Sequence, residues 1–278
     1  MTTQETQESR DAWNNIATRY DEFVTPTHMW LANEGLTRVG LKSGMKFLDV
    51  ACGSGALSIP AARMGAQVLA VDISPAMVER LNARARQEGL SNLEGRVMDG
   101  HALELEDNTF DISGSQWGVM LFPDLPRGLR ELVRVTKPGG KVLLHCYGPP
   151  PQIEFLGFFI GGVQAVAPDF HGPPMDPVPL PFQVADPEKL QEEYVSAGLK
   201  DVKVETITET LEFKTGQELW DWVVNSNPIP RMILGMVNVT KEQEGVIRNK
   251  LEEMIRERAG GDGAAKLTNP VHIAIGTV

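Results

Sequence analysis

A strand that carries an acid and then breaks into a glycine turn constrains this chain more than any other stretch. Phe47-Leu48-Asp49-Val50 reads as a short apolar strand, and Ala51-Cys52-Gly53-Ser54-Gly55 as a tight turn leading into a helix. Seventeen residues past Gly55, a second apolar run, Val68-Leu69-Ala70-Val71, ends in Asp72. Glycines at such a turn lack a Cβ and let a ligand approach the backbone closely. An acid at the tip of the next strand is placed to accept hydrogen bonds from both hydroxyls of a ribose. The spacing therefore predicts a pocket for a nucleoside-bearing cofactor.

Strands and helices alternate around this feature. Strands are expected at Lys46–Val50, Gln67–Val71, Leu93–Met98, Phe110–Ser115 and Lys141–Cys146, with helices at Ala56–Met64, Pro75–Gln87 and Arg127–Val135. Ser74 is read as the cap of the second helix, with Pro75 in its first turn. That alternation is the mark of an α/β fold with a doubly wound, mostly parallel sheet. Before it, Trp13, Ile16, Ala17 and Tyr20 share one helical face, and Trp30, Leu31 and Val39 suggest a second helix. After Tyr147 come an apolar helix over Ile153–Val166 and a Pro-rich loop from Pro168 to Pro187. A helix at Glu188–Ala197 and a strand at Val202–Phe213 follow, then helices at Gln217–Asn225, Arg231–Val237 and Glu242–Arg258. A glycine break, Gly260-Gly261-Asp262-Gly263, precedes a closing strand at Val271–Val278. The expected division is an N-terminal helical cover, 1–42, and one domain, 43–278, bearing a cover segment at 148–186 and a helical insertion at 214–262.

Bulk properties narrow the partners. A formal charge of −11 argues against a nucleic-acid partner, since phosphate binding needs concentrated positive surface. No apolar run reaches membrane-spanning length, and the polar Met1–Arg10 stretch is not a signal peptide. Two cysteines, Cys52 and Cys146, are too few for a disulfide framework and point to a reducing, cytoplasmic setting. No metal site is expected, and the oligomeric state stays open, a homodimer included.

Two details depart from a dinucleotide fingerprint. Its third glycine would fall at position 58, which is Ser58, and nicotinamide folds usually carry an apolar residue where Asp49 stands. Ordered blocks extend the pattern: Trp13–Asp21 (WNNIATRYD), Asp49–Gly55, Val71–Met77 (VDISPAM), Met98–Leu105 with Phe110-Asp111, and Arg130–Leu143 (RELVRVTKPGGKVL). On these blocks the chain resembles the class I S-adenosylmethionine-dependent methyltransferases, in particular the small-molecule group related to the quinone methylases. The resemblance spans about Trp13 to Tyr147. It implies a Rossmann-like methyltransferase fold and S-adenosyl-L-methionine as cofactor; the helical and Pro-rich segments after Tyr147 are read as a lid. It also implies that Asp49, Ala51, Gly53 and Gly55 form the turn against the methionine half of the cofactor. By the same resemblance Asp72 takes the ribose hydroxyls, Ile73 packs on the adenine, and Asp99 with Gly100 faces the adenine amine. Gln116 and Trp117 line the floor near the sulfonium, Tyr20 closes over the methionine end, and Met77 joins the set.

Plainer roles stand beside several of these. Asp72 could merely cap a helix, Asp99 could be a turn residue, and Trp13 could be packing alone. Cys52 lies near a helix start, where thiol pKa values fall, but the family fills that position with small residues. For a base, His145 near the tip of the fifth strand and His101 are the candidates, with His171 in the proline loop a third. A hydrogen-bonded structural role competes with each.

The substrate is expected to be a moderately hydrophobic small metabolite, methylated on oxygen or carbon. Phe155, Phe158, Phe159, Phe170, Met175, Phe182, Trp220, Trp222, Met232 and Met236 concentrate large apolar groups outside the sheet, part as core and part as pocket lining. After the fourth strand the chain reads Ser115-Gln116-Trp117-Gly118, not the Asn/Asp-Pro-Pro-aromatic run of many amine methylases. It has too few cysteines for an arsenite methylase, and Val119-Met120-Leu121-Phe122-Pro123-Asp124 replaces the arginine-asparagine pair of quinone C-methylases. A non-catalytic cofactor-binding regulator and a nicotinamide dehydrogenase are the competing readings.

Overall fold

A computed structural model describes residues 3–261 and 263–278; Met1, Thr2 and Asp262, the last within the expected glycine break, lie outside the described residues. Two helices, α1 (Thr3–Phe23) and α2 (Thr25–Val39), precede β1 (Lys46–Val50), α3 (Ser58–Arg63), β2 (Gln67–Asp72), α4 (Pro75–Gln87) and β3 (Leu93–Val97). Next come β4 (Phe110–Gln116), α5 (Leu125–Val135), β5 (Thr136–Tyr147), α6 (Glu154–Gln164) and α7 (Pro187–Ser196). The chain finishes with β6 (Lys200–Phe213), α8 (Gly216–Ser226), α9 (Ile229–Met236), α10 (Lys241–Ala259) and β7 (Ala265–Thr277). The seven strands form one sheet in the order β3-β2-β1-β4-β5-β7-β6, parallel except that β7 runs against both neighbours. From β1 the chain winds outward first to β2 and β3, and later to β4 and β5 on the other side. Between β1 and β4 the winding direction reverses, and open parallel sheets bind ligands at the strand ends beside such a reversal.

Local chemistry explains the boundaries. In β1 every residue after Lys46 is buried, as a central parallel strand covered on both faces requires. Phe47 and Leu48 are fully enclosed, and burial of side chains this size is worth about 1.5–3 kcal/mol each. Ser74 Oγ accepts from Met77 N at 3.1 Å and Pro75 supplies the first helical residue, so α4 begins where the sequence predicts. Asp124, Asp186 and Thr215 cap α5, α7 and α8 in the same way, and Thr240 with Gln243 forms a reciprocal capping box for α10.

Two strands run further than periodicity suggests. β5 starts at Thr136 rather than Lys141, because its pairing with β4 shifts register between Phe110 and Ile112 and absorbs the Pro-Gly-Gly stretch as a bulge. β7 starts at Ala265 rather than Val271, with Phe213 facing Ala265 at one end of a long hairpin and Lys200 facing Thr277 at the other. Pro270 inside β7 pairs with Thr208 and accepts from Gly148 N through its carbonyl, so the missing N–H is tolerated. Helices α8, α9 and α10 connect the two strands at the Phe213–Ala265 end.

The apolar interior falls into two clusters. One surrounds the sheet and includes Leu48, Val71, Trp117, Leu129 and Leu143. The other joins α1, α4, α6, α8, α9 and α10 around Tyr20, Met77, Phe159, Trp220, Trp222 and Leu251. The glycine turn after β1 lies at the seam between them. Among the described residues, no helix is long and apolar enough to cross a membrane.

Candidate active site

The turn after β1 is built from left-handed backbone. Ala51 (φ 54°), Gly53 (φ 52°) and Gly55 (φ 103°) take conformations that L residues with a side chain rarely adopt. Ala51 does so without being glycine, at a cost of about 1–3 kcal/mol that marks a functional segment. A Cβ on Gly53 would stand 3.3 Å from the Tyr20 ring, so the turn is free of side-chain bulk where α1 crosses it. Asp72 fixes the turn from β2. Its Oδ2 accepts from Gly53 N at 2.8 Å and its Oδ1 from Ser74 N at 2.9 Å. Each oxygen keeps a further lone pair for a ligand, and burial raises this carboxyl above its usual range.

The opposite wall comes from the segments after β3 and β4. Asp99 Oδ1 accepts from both the backbone N and Nδ1 of His101, each at 2.9 Å, and the His101 bond holds the Asp99 pKa low. With Nδ1 donating, His101 Nε2 is left as an acceptor, buried and without a partner, on a ring stacked 4.2 Å from Phe122. Trp117 (φ 60°) is a second non-glycine residue in left-handed backbone, and its indole Nε1 is buried without a partner. These walls line a cleft of about 720 Å³, its open mouth included, formed by Tyr20, Ala51, Gly53, Asp72, Ile73, Asp99, Gly100, His101, Gln116 and Trp117, with Ser9 and Trp13 from α1 above.

Four expected site residues lie elsewhere. Asp49 is wholly buried beneath the turn, where Ser58 Oγ donates to its Oδ2. The acid before the turn and the serine in place of the third glycine thus satisfy each other, and burial pushes Asp49 up to about 7. Gly55 points inward: a Cβ there would meet Leu81 at 2.8 Å, so its role is helix packing. Met77 is buried on α4 within the second cluster. His145 corrects the expectation of a ligand-facing base. It is buried behind the cavity floor, with Nδ1 2.8 Å from Gln116 Oε1, and burial lowers it to about 3. Its Nε2 occupies the space that a Cβ on Gly35 would fill. Gln116 is thereby clamped, because its Nε2 donates to the His28 carbonyl at 3.1 Å. His171 stays in the proline loop, 3.3 Å from Gln164. Cys52 is buried, which drives its thiol up and keeps it inert.

Beyond Trp117 a smaller chamber of about 430 Å³ continues from the first cavity, sharing Trp13, Tyr20, Trp117 and Leu121 with it. Tyr147 stacks on Trp117 at 3.9 Å between ring centres, and Phe155 of α6 meets Tyr147 edge-on at 5.6 Å. His28 of α2, Met120, Pro181, Ser226 and Asn227 complete the lining, which contains no Asp, Glu, Lys or Arg. Gln183 pins the proline loop over this wall by donating to the Met120 and Phe122 carbonyls at 2.7 and 2.9 Å. Of the apolar residues expected to cover the site, Phe155 lines the chamber, Phe159, Trp220 and Trp222 are core, and Met175, Met232 and Met236 are exposed. His28 and Tyr147 escaped the sequence reading. No motif surrounds His28, and Tyr147 looked like the end of a strand.

Residues 48–144 match the protein family described as "Methyltransferase domain". Over that segment the chain is similar to methyltransferase domains. It is 33% identical over 168 residues to the nocamycin O-methyltransferase of Saccharothrix syringae, covering 56% of this chain and 59% of that protein. It is 33% identical over 154 residues to the demethylmenaquinone methyltransferase of Desulfitobacterium hafniense, covering 52% and 61%. An uncharacterized Mycobacterium tuberculosis protein is 44% identical over 103 residues, 37% of each chain. The chain thus spans less than two thirds of the length of each of these relatives. The methyltransferase fold extends past the matched segment. The Haemonchus contortus phosphoethanolamine N-methyltransferase 2, solved with S-adenosyl-L-methionine, superposes with a TM-score of 0.52 at 19% identity over 89% of this chain and 52% of that one. The YcgJ protein of Bacillus subtilis superposes with a TM-score of 0.54 at 16% identity, over 88% and 97%.

Proposed function

We propose that this methyltransferase transfers the methyl group of S-adenosylmethionine to a moderately hydrophobic small molecule, on oxygen or carbon. The observation that carries the reading is the anchored Asp72 carboxylate beside the bare Gly53 turn, in a cavity that opens into an uncharged aromatic chamber. The residues fit the donor. Asp72 suits the ribose hydroxyls, the Ala51–Gly53 backbone suits the methionine end, and Asp99 with Gly100 and Ile73 suits the adenine. The buried, unpartnered Trp117 Nε1 adds a polar atom at the junction of the two cavities. When bound, S-adenosylmethionine supplies a methyl group already activated on sulfonium sulfur. What the chain contributes is alignment: Tyr20 and Trp117 hold donor and acceptor cavities end to end, and such positioning is worth about 7–11 kcal/mol. A small molecule is favoured over nucleic acid by the charge of −11. The two buried free thiols fit a reducing compartment, and on that ground the protein is assigned to the cytoplasm. We assign the cover role to 1–42 and the methyltransferase domain to 43–278.

Calorimetry with S-adenosylmethionine and NAD tests the reading. Wild type is expected to bind the first and not the second, and Asp72→Ala to bind it roughly 10–100-fold more weakly, from a loss of about 1.5–3 kcal/mol. NAD binding with no affinity for S-adenosylmethionine would make the chain a dehydrogenase. S-adenosylmethionine binding with no methylated product from a metabolite extract would make it a cofactor-binding regulator.

A further inference from the structure

Besides the Trp117 indole, the chamber wall holds a second polar side chain without a hydrogen-bond partner. Both ring nitrogens of His28 are buried and without a hydrogen-bond partner, although the residue lines the chamber and is only 3% exposed. Aromatic faces pack around the ring, with Trp117 at 5.5 Å and Trp222 edge-on at 5.8 Å between ring centres. Behind it, from β6, comes Glu209, which is wholly enclosed. Its Oε1 is 3.7 Å from His28 Nε2 and otherwise unpartnered, while its Oε2 accepts from Asn269 of β7 at 3.1 Å. Asn269 and Glu209 face each other across the β6–β7 pairing, so the hairpin register holds the carboxyl in place. Unsatisfied buried polar groups are rare, and a cluster of three unpartnered atoms at a cavity wall points to a ligand.

We infer that His28 is the proton acceptor for a neutral aromatic hydroxyl compound bound in this chamber, with Glu209 as its positioning residue. This rests on the methyl-transfer reading above and names the acceptor class for the same site. In its ionised form Glu209, 3.7 Å from Nε2, favours the tautomer that carries the proton there, which leaves Nδ1 as the basic nitrogen. In the reaction the acceptor oxygen forms a bond to the methyl carbon as the carbon–sulfur bond breaks, the electron pair staying on sulfur. The hydroxyl proton passes to Nδ1, and the Glu209 carboxylate offsets the imidazolium so formed. Burial holds His28 down at about 3 and Glu209 up at about 8, so the carboxylate that offsets the imidazolium is the form present above about pH 8. A cationic acceptor is disfavoured because Glu209 is screened from the chamber by His28.

The test is a binding comparison with 2-naphthol and naphthalene, run with and without S-adenosylhomocysteine. Wild type is expected to prefer 2-naphthol by about tenfold, the value of one net hydrogen bond to a buried acceptor. His28→Phe keeps the ring volume and is expected to bind both equally. Ring-¹⁵N NMR of wild type supplies a second readout: the Nδ1 resonance of His28 should move on adding 2-naphthol, and Glu209→Gln should change the tautomer ratio without ligand. Equal binding of the two probes to wild type, or an unchanged preference in His28→Phe, overturns the assignment. So does tighter binding of phenyltrimethylammonium than of 2-naphthol, which would make the rings a cation cage. Failure of the methyl-transfer reading shows separately, as absent affinity for S-adenosylhomocysteine.

Discussion

Asp49 illustrates how a residue can be essential to a site without touching its ligand. It supports the turn from below, bonded to Ser58, with Oδ1 buried and unpartnered. Its folded-state pKa of about 7 lies above the ordinary 3.8, so the folded protein binds a proton that the unfolded chain releases. The stability this contributes is present in full below 3.8 and is lost as pH rises through 7. The unfolding free energy of the ligand-free protein in urea should therefore be higher at pH 5.5 than at pH 8, by on the order of 1–2 kcal/mol from Asp49. Glu209, raised to about 8, adds to the same slope; His28 and His145, both lowered to about 3, oppose it below 6.5, and Asp99, held low by His101, lies below this window. Asp49→Asn should flatten the difference; a slope unchanged in that variant would show that other groups set it. The same residue explains a limit of the sequence reading. Asp49 and Ser58 were both singled out as departures from a dinucleotide pattern, but only the fold reveals that they are one interaction.

At the scale of elements, α1 is the part of the pocket most exposed to loss. Asn14 Oδ1 accepts from Ser74 Oγ at 2.7 Å and from Ala76 N at 3.2 Å, which ties α1 to the first turn of α4. Arg80 reaches Thr18 at 2.8 Å, and Arg84 pairs with Asp21 at 2.5 Å, further along the same contact. Asn14→Ala removes two of these bonds, about 1–3 kcal/mol of docking energy. Hydrogen exchange in α1 should accelerate roughly 10–100-fold while β1 and β4 stay protected, and S-adenosylmethionine affinity should fall with it. Equal protection in both proteins would remove Asn14 from the closure. Elements with local signals were legible in sequence: Ser74-Pro75 fixes the start of α4, and the buried apolar run fixes β1. The first half of β7 was not, because Lys266-Leu267-Thr268-Asn269-Pro270 has the look of a loop and becomes strand only by pairing with β6. His28 and Glu209 were invisible for the same reason. They meet through packing of α2 against a strand far along the chain, and no spacing rule connects them.

Across the whole molecule, the site draws on both apolar clusters, with Tyr20 from one and Trp117 from the other. A ligand seated between them links their stabilities. S-adenosylhomocysteine at 100 times its dissociation constant should add about 2.7 kcal/mol to unfolding. Hydrogen exchange should slow in α8–α10 as well as in the sheet. Protection confined to the sheet would mean that the helical cluster opens independently of the cofactor seat.

On the proposed assignment of donor and acceptor cavities, the seam also divides part of the labour of recognition along the chain. The donor seat is furnished largely by the parallel sheet half, through the turn after β1, Asp72 and the segment after β3. The acceptor chamber draws Phe155, Pro181, Ser226 and Asn227 from the second half, closed by the β6–β7 hairpin. Part of the acceptor selectivity is therefore carried by a separable stretch. Exchanging the stretch from 148 to 261 for that of a relative is expected to reshape one wall of the chamber while His28, Trp117 and Tyr147 stay in place.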